Sequence, residues 1–255
     1  QSSSRNKEIN VEGIDIVLAM DISSSMLAAD LKPDRLEAAK AVASDFVKGR
    51  PDDRMGLIVF SGETFTQVPL TTDHGMMLNM LGDMKCGMLE DGTAIGDGLA
   101  SAISRLKDSE AISKVVILLT DGDNNAGSID PGTAAEMAKL FGIRVYTIGA
   151  GTRGTAPYPV QTPFGSIQYQ QIPVTINDDL LQNIADETGG KYFRADSKEK
   201  LEQIYNEIDK MERSKIQVNE FKRLHEEFYP LVKWGIILLI LSFLLKNTIF
   251  KSITD

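Results

Sequence analysis

Ile14-Asp15-Ile16-Val17-Leu18-Ala19-Met20-Asp21-Ile22-Ser23-Ser24-Ser25, residues 14 to 25, is the stretch whose reading decides the fold. The apolar, β-branched run from Ile14 to Met20 predicts a buried strand, since a strand covered on both faces shows no alternation of apolar and polar residues. It stops at Asp21-Ile22-Ser23-Ser24-Ser25, a D-x-S-x-S pattern. Spacing of two places Asp21, Ser23 and Ser25 on one side of an extended segment, so a carboxylate and two hydroxyls converge above the strand's carboxyl end. In an open α/β sheet, ligands are expected at that edge. Hard oxygen donors suit a hard cation. The plainer reading of the same pentad is a Ser-rich turn in which Asp21 caps a helix.

Outward from this strand, strands and helices alternate. Pro33 suits a first helical turn, and Leu36, Ala39, Val42, Ala43, Phe46 and Val47 share one apolar face that ends near Gly49. Met55 to Phe60 is a second buried strand, and Thr64 to Leu70 a short edge strand turning through Pro69. Helical spacing recurs at about 74–83 and 94–107. Val115 to Leu119 is a third apolar strand, closed by Thr120-Asp121-Gly122-Asp123-Asn124-Asn125. Thr133 to Phe141 reads as a helix and Ile143 to Ile148 as a strand. Gly149 to Pro173 holds four of the nine prolines and is too long for a plain connector, so it reads as an excursion or β-hairpin on the rim, a place for specificity. Asn177 to Thr188 is then helical, and Lys191 to Arg194 a last short strand. Asp196-Ser197-Lys198-Glu199 opens a helix as a capping box, with Leu201, Ile204, Tyr205, Ile208 and Met211 on its inner face. The expected fold is α/β, with a doubly wound, mostly parallel sheet.

A 255-residue chain that is 42% hydrophobic accommodates one domain of roughly 200 residues plus an appendage. The net charge of −9 argues against a nucleic-acid partner, which needs a basic face; clustered carboxylates point to cations. Cys86 is the sole cysteine, which excludes an internal disulfide framework and multi-cysteine metal sites. His74 and His225 lie far apart and read as ordinary residues. The chain opens on Gln1 with no signal peptide, which reads as a piece of a longer chain.

The expected organisation is a linker over 1–12, a domain over 13–212, a juxtamembrane helix over 213–229, a C-terminal transmembrane helix over 230–250 and a tail over 251–255. From Trp234 to Leu245 no charge interrupts, and Phe228 to Phe250 carries only Lys233 and Lys246. Twelve residues reach about 18 Å into a hydrocarbon core about 30 Å thick, so a crossing includes the flanks, with both lysines snorkelling outward. Lys222, Arg223 and Lys233 before the span and Lys246 and Lys251 after it leave the orientation open.

Three segments offer oxygen donors to one point. These are Asp21, Ser23 and Ser25; Asp121, beside a Gly122 where the backbone can turn sharply; and Asp91-Gly92-Thr93, ahead of the helix near 94. Two carboxylates balance a divalent charge, and Ser and Thr hydroxyls complete part of the shell, leaving room for a water or an outside ligand. Without thiol or imidazole donors zinc is disfavoured, and the small hydroxyl-rich cage favours Mg²⁺ or Mn²⁺ over Ca²⁺.

Asp21-Ile22-Ser23-Ser24-Ser25, Gly92-Thr93-Ala94-Ile95-Gly96-Asp97-Gly98-Leu99 and Leu118-Leu119-Thr120-Asp121-Gly122 resemble the three elements of the metal-ion-dependent adhesion site (MIDAS) of von Willebrand factor A domains. The resemblance covers about residues 13–212. It implies Asp21, Ser23, Ser25, Thr93 and Asp121 as direct or water-mediated metal ligands, and a carboxylate from a partner protein as the outside ligand. With Lys32-Pro33-Asp34-Arg35-Leu36-Glu37-Ala38-Ala39-Lys40 and, ahead of the expected span, Phe228-Tyr229-Pro230-Leu231, the chain is also similar to the bacterial BatA-like aerotolerance family. That resemblance implies further spans upstream, a bacterial inner membrane with the A domain on its periplasmic side, and association with MoxR-type AAA+ ATPases and other Bat proteins.

Rival signals are weaker. Gly149-Ala150-Gly151-Thr152-Arg153-Gly154 matches a dinucleotide-binding G-x-G-x-x-G, but Thr155-Ala156-Pro157-Tyr158-Pro159 cannot readily open the helix that motif needs. Asp121-x-Asp123-x-Asn125 begins like an EF-hand loop, yet Ala126 and Gly132 stand where Gly and Glu are required. Asp91, Asp97 and Asp123 read as solvated loop carboxylates, with support of the metal as the alternative. The expected function is a membrane-anchored, metal-dependent protein-binding module, not an enzyme. A metal-stabilised structural assembly protein is the alternative. A metal-assisted hydrolase is the more distant one, since no nucleophile elbow, Walker lysine motif or nearby general-base histidine is present.

Overall fold

The computed structural model describes residues 13–162, 166–174, 176–226, 232–234 and 236–239. The chain divides into two units, Gln1–Asp209 and Lys210–Asp255. Through the first run β1 (Asp15–Asp21), α1 (Arg35–Lys48), β2 (Arg54–Phe60), β3 (Thr64–Thr71), α2 (His74–Asp83), α3 (Ile95–Leu106), β4 (Lys114–Thr120), α4 (Pro131–Leu140), β5 (Arg144–Ala150), β6 (Thr155–Gln161), β7 (Ile167–Pro173), α5 (Asp178–Thr188) and β8 (Tyr192–Ala195), and α6 (Lys198–Glu226) starts there. The sheet order is β3-β2-β1-β4-β5-β8, parallel except for β3, and β6 and β7 form a separate antiparallel hairpin. The expected mostly parallel α/β fold is the one observed.

Every residue of β1 is buried, which is why its sequence shows no alternation. Val17, Ala19, Ile58, Phe60, Val116 and Leu118 pack against Ile95 and Leu99 of α3, Ala134 of α4 and Leu181 of α5. Ile16, Leu18 and Met20 are equally buried and, by the strand's period of two, point to the other face. On that face's helices, Phe46 of α1 packs its ring against Tyr205 of α6, centroids 5.0 Å apart. Full burial of each Val, Leu, Ile or Phe side chain contributes about 1.5–3 kcal/mol, so these two layers dominate what holds the domain together.

The helix starts differ in detail from the expectations. Asp34 caps α1 by accepting the Glu37 N–H at 2.8 Å, so Pro33 precedes the helix instead of occupying its first turn. Ser197, not Asp196, caps α6, because the helix begins at Lys198 and the Ser197 Oγ reaches the Lys200 N–H at 3.2 Å. The Pro-rich excursion is the β6–β7 hairpin. Most of the expected 230–250 span lies outside the described residues. Within the second unit, 232–234 and 236–239 are helical, with Trp234 and Ile236 to Leu239 exposed. Among the described residues no helix is long and apolar enough to cross a membrane.

The topology fixes where a ligand would sit. From β1 the chain passes through α1 to β2 on one side, and later returns to place β4 on the other side of β1. That reversal makes the carboxyl ends of β1 and β4 the switch point, the crevice where α/β sheets bind ligands. Met20 pairs with Leu119, so Asp21 and Thr120 leave the sheet side by side.

Candidate metal centre

Asp21, the last residue of β1, is fully buried. Its Oδ1 accepts the Ser23 N–H at 2.8 Å and its Oδ2 accepts the Thr120 hydroxyl at 2.6 Å. The first bond turns the chain back on itself into a 3-10 turn over Ser24–Leu27, and the Ser23 and Ser25 Oγ atoms come within 3.0 Å of each other. Ser25 donates its hydroxyl to Asp121 Oδ1 at 2.6 Å. Thr93 arrives from the loop before α3, its N–H held by Asn125 Oδ1 at 2.8 Å. Its hydroxyl packs against Gly122 so closely that a Cβ there would lie 3.3 Å from Thr93 Oγ1. Gly122 therefore serves close approach; it is absent from the positive-φ glycines that a sharp turn would require.

A cavity of about 220 Å³ opens over this cluster, lined by the hydroxyls of Ser23, Ser24, Ser25 and Thr93, by the charged groups Arg35, Asp91, Asp121 and Asp123, and by Ile172, Pro173 and Val174. Asp21 is not among its lining residues; it braces the floor through Ser23 and Thr120. Asp91 braces the serine turn, accepting from the Ser24 N–H at 3.0 Å and its hydroxyl at 2.7 Å. Asp97 accepts the backbone N–H groups of Ser128 and Ile129, and Asp123 the amide of Asn177. All three carboxylates fasten loops.

One participant was not among the expected site residues. Arg35, at the start of α1, has a side chain 3% exposed; it grips Asp30 through two bonds of 2.7 Å and donates to Asp121 Oδ2 at 2.7 Å. Gly151, at φ +146°, lies against this guanidinium, where a Cβ would come within 2.7 Å of a nitrogen. Burial, and then the charge of Asp121, pushes the Asp21 carboxyl well above the usual carboxylate range, against the pull of Ser23 and Thr120. Burial pushes Asp121 up as well, with Arg35 opposing. Burial works against the charge of Asp30 too, but the Arg35 and Thr152 hydrogen bonds prevail and hold it down at about 2. With all three ionised, Asp21, Asp30 and Asp121 exceed Arg35 by two negative charges, a state that burial opposes at Asp21 and Asp121 and that a divalent cation would relieve. Among the described residues no three His, Cys, Asp or Glu side chains form a metal cluster.

The chain belongs to the von Willebrand factor type A domain family, whose model matches residues 15–207. In structure it is similar to BatB from Bacteroides thetaiotaomicron (33% identity, TM-score 0.67, 79% of this chain and 100% of that one). It is also similar to an aerotolerance-related membrane protein from Bacteroides fragilis (32%, TM-score 0.65, 76% and 98%). A third neighbour, proximal thread matrix protein 1 from the mussel byssus, has a zinc-occupied MIDAS motif (25%, TM-score 0.61, 79% and 46%). Among curated relatives, an uncharacterized protein of Borreliella burgdorferi is 29% identical over 99% of this chain and 74% of its own length. A UPF0353 protein of Mycolicibacterium gilvum is 30% identical, and the chain spans 58% of its length.

Proposed function

We propose that this chain is a membrane-anchored, divalent-metal-dependent protein-binding module of a BatA-like system. The observation that carries the reading is the excess of carboxylates over Arg35 at a cavity lined in part by hydroxyls. Ser23, Ser25, Thr93 and Asp121 would hold the ion, with Asp21 acting on it from below. Mg²⁺ or Mn²⁺ suits this all-oxygen set. Bound there, the ion supplies a positive site for a partner's carboxylate. Without it the cavity carries excess negative charge and repels one, so capture depends on the metal.

Among the described residues that line the cavity there is no histidine or lysine to activate its serine hydroxyls, which supports a non-enzymatic role. The nearest thiol, Cys86, donates to the Ser23 carbonyl at 3.3 Å, and burial, followed by the surrounding carboxylates, pushes it up to about 12. Placement in a bacterial inner membrane with the A domain in the periplasm, and action with a MoxR-type ATPase and other Bat proteins, belong to the same proposal. The likeness to an aerotolerance-related membrane protein supports the membrane placement, and the side of the membrane and the partners rest on the sequence resemblance alone.

The test is a pull-down with the full chain in detergent extract. A partner retained in Mg²⁺, released by EDTA and never captured by Asp21→Asn is the expected result. Capture that persists in EDTA would overturn the reading.

A further inference from the structure

The β6–β7 hairpin has two edges of different character. Val174 donates its N–H to Gly154 O at 2.9 Å and Thr162 to Ser166 O at 2.8 Å. In the register Thr155↔Pro173 to Gln161↔Ile167, these bonds set the alternation: even-numbered residues bond across the hairpin and odd-numbered ones point their N–H and C=O outward. The Pro157 carbonyl obeys this pattern by accepting the Ala29 N–H at 2.8 Å on the outer side of β6. That side is also blunted, because the outward positions 157 and 159 are both prolines with no N–H to offer.

The outer side of β7 keeps its N–H groups except at its last residue, Pro173. Ile167, Tyr169 and Gln171 turn their N–H and C=O groups out there, and among the described residues β7 pairs with β6 alone. The Ile167 and Tyr169 side chains are 62% and 64% exposed. This edge runs directly into the site, since Ile172, Pro173 and Val174 at its carboxyl end form a wall of the cavity over Ser23, Thr93 and Asp121. In a chain of net charge −9, no charged residue stands between Arg153 and Asp178. An acidic segment arriving along the hairpin thus meets no charge on the hairpin itself, and at the cavity, which Asp91 and Asp123 also line, it depends on the cation to attract it.

We infer that the outer edge of β7 is a strand-addition site: an extended segment of a partner protein, bearing one Asp or Glu among otherwise uncharged residues, pairs with Ile167, Tyr169 and Gln171 and is delivered by that register into the metal cavity. Tyr169 to Pro173 covers about 13 Å, so roughly six to eight residues of partner span the edge and reach the metal. Backbone pairing supplies affinity, and the single carboxylate supplies metal dependence. This rests on the metal-dependent reading above, which the test separates from it.

The probe is a phage library of twelve-residue peptides with one fixed Asp and all other positions random, panned on the full chain in Mg²⁺ and eluted with EDTA. Recovered sequences, made as synthetic peptides, should slow amide exchange at Tyr169 and Gln171 of the unmodified chain. They should weaken about tenfold or more on Tyr169→Pro or Gln171→Pro, while calorimetry finds Mg²⁺ binding unchanged. Each proline removes an outward N–H and leaves the bonds to β6 intact. The inference is overturned if Mg²⁺ binds but no EDTA-eluted sequence is recovered. It is equally overturned if recovered peptides leave both amides and both proline variants unaffected. Failure of the chain to bind Mg²⁺ at all would remove the underlying reading and this inference with it.

Discussion

At the amino edge of the sheet two guanidinium groups serve three carboxylates, each of which has a cation partner; at the carboxyl edge Arg35 alone faces three, and among the described residues one of them has no cation. Asp15 accepts from Arg54 and from the Ser109 hydroxyl. Asp53 accepts the Ile14 N–H at 2.7 Å and pairs with Arg50 at 2.6 Å, and Arg50 also reaches Asp209 and lies 4.8 Å over the Phe46 ring. At the carboxyl edge Arg35 is divided between Asp30 and Asp121, and among the described residues Asp21 has no cation. The same groups thus do different work. Matched pairs hold β1, β2 and the turn at 50–53 together, whereas carboxylates without a cation cost stability when ionised, a cost that the proposed metal would offset.

This contrast is open to attack at either pole. The largest expected effect is at Asp21. Asp21→Asn keeps an acceptor for the Ser23 N–H, replaces the acceptor facing Thr120 by a donor that the hydroxyl oxygen can accept, and removes one buried charge, so calorimetry should show divalent affinity falling about a thousandfold, roughly 4 kcal/mol. The same variant should melt higher than wild type when both are metal-free, since an unmatched buried charge is gone. Next is Arg50→Met at the matched pole, which strands Asp53 and should cost about 3 kcal/mol in denaturant titration while leaving Mg²⁺ affinity unchanged. Equal loss of metal binding in that variant would erase the distinction between the poles.

Acidity sharpens the comparison further. A carboxyl raised on folding favours the folded state while protonated, so its contribution is full below the unfolded value and is lost as pH rises through the folded one. Metal-free protein should therefore melt lower at pH 8 than at pH 5, and Asp21→Asn should reduce that difference. Saturating Mg²⁺, about a hundredfold above its Kd, should restore roughly 2.7 kcal/mol at the higher pH. The smallest effect is expected from Asp15→Asn: its Arg54 partner is 48% exposed, so water compensates much of the loss and about 1 kcal/mol is the expected cost, with no change in metal binding.

The fold was legible where burial is total or local chemistry is strict. β1, β2 and β4 are covered on both faces, and their unbroken apolar runs say so. The hairpin declared itself through its prolines, and β5 leads into β6 instead of a helix, which removes the dinucleotide reading of 149–154. The serine pentad, Thr93 and Asp121 do come together. What stayed hidden depends on sheet register, which no local pattern encodes. Thr120 reaches Asp21 only because β4 pairs beside β1 with Met20 against Leu119. Arg35 reaches Asp121, 86 residues away, for the same reason. A signal for Arg35 existed: at helical spacing it falls in line with Ala39, Val42 and Phe46, a charge within an apolar stripe, where a buried partner is required.

The claim beneath all of this is that the carboxyl edge of the sheet stores charge for one divalent ion. Titration of MgCl2 into metal-free protein, run beside Asp21→Asn, tests it most directly. One ion per chain is expected for the wild type, and binding about a thousandfold weaker for the variant. Absence of binding by the wild type, or an isotherm that the variant reproduces, would contradict it.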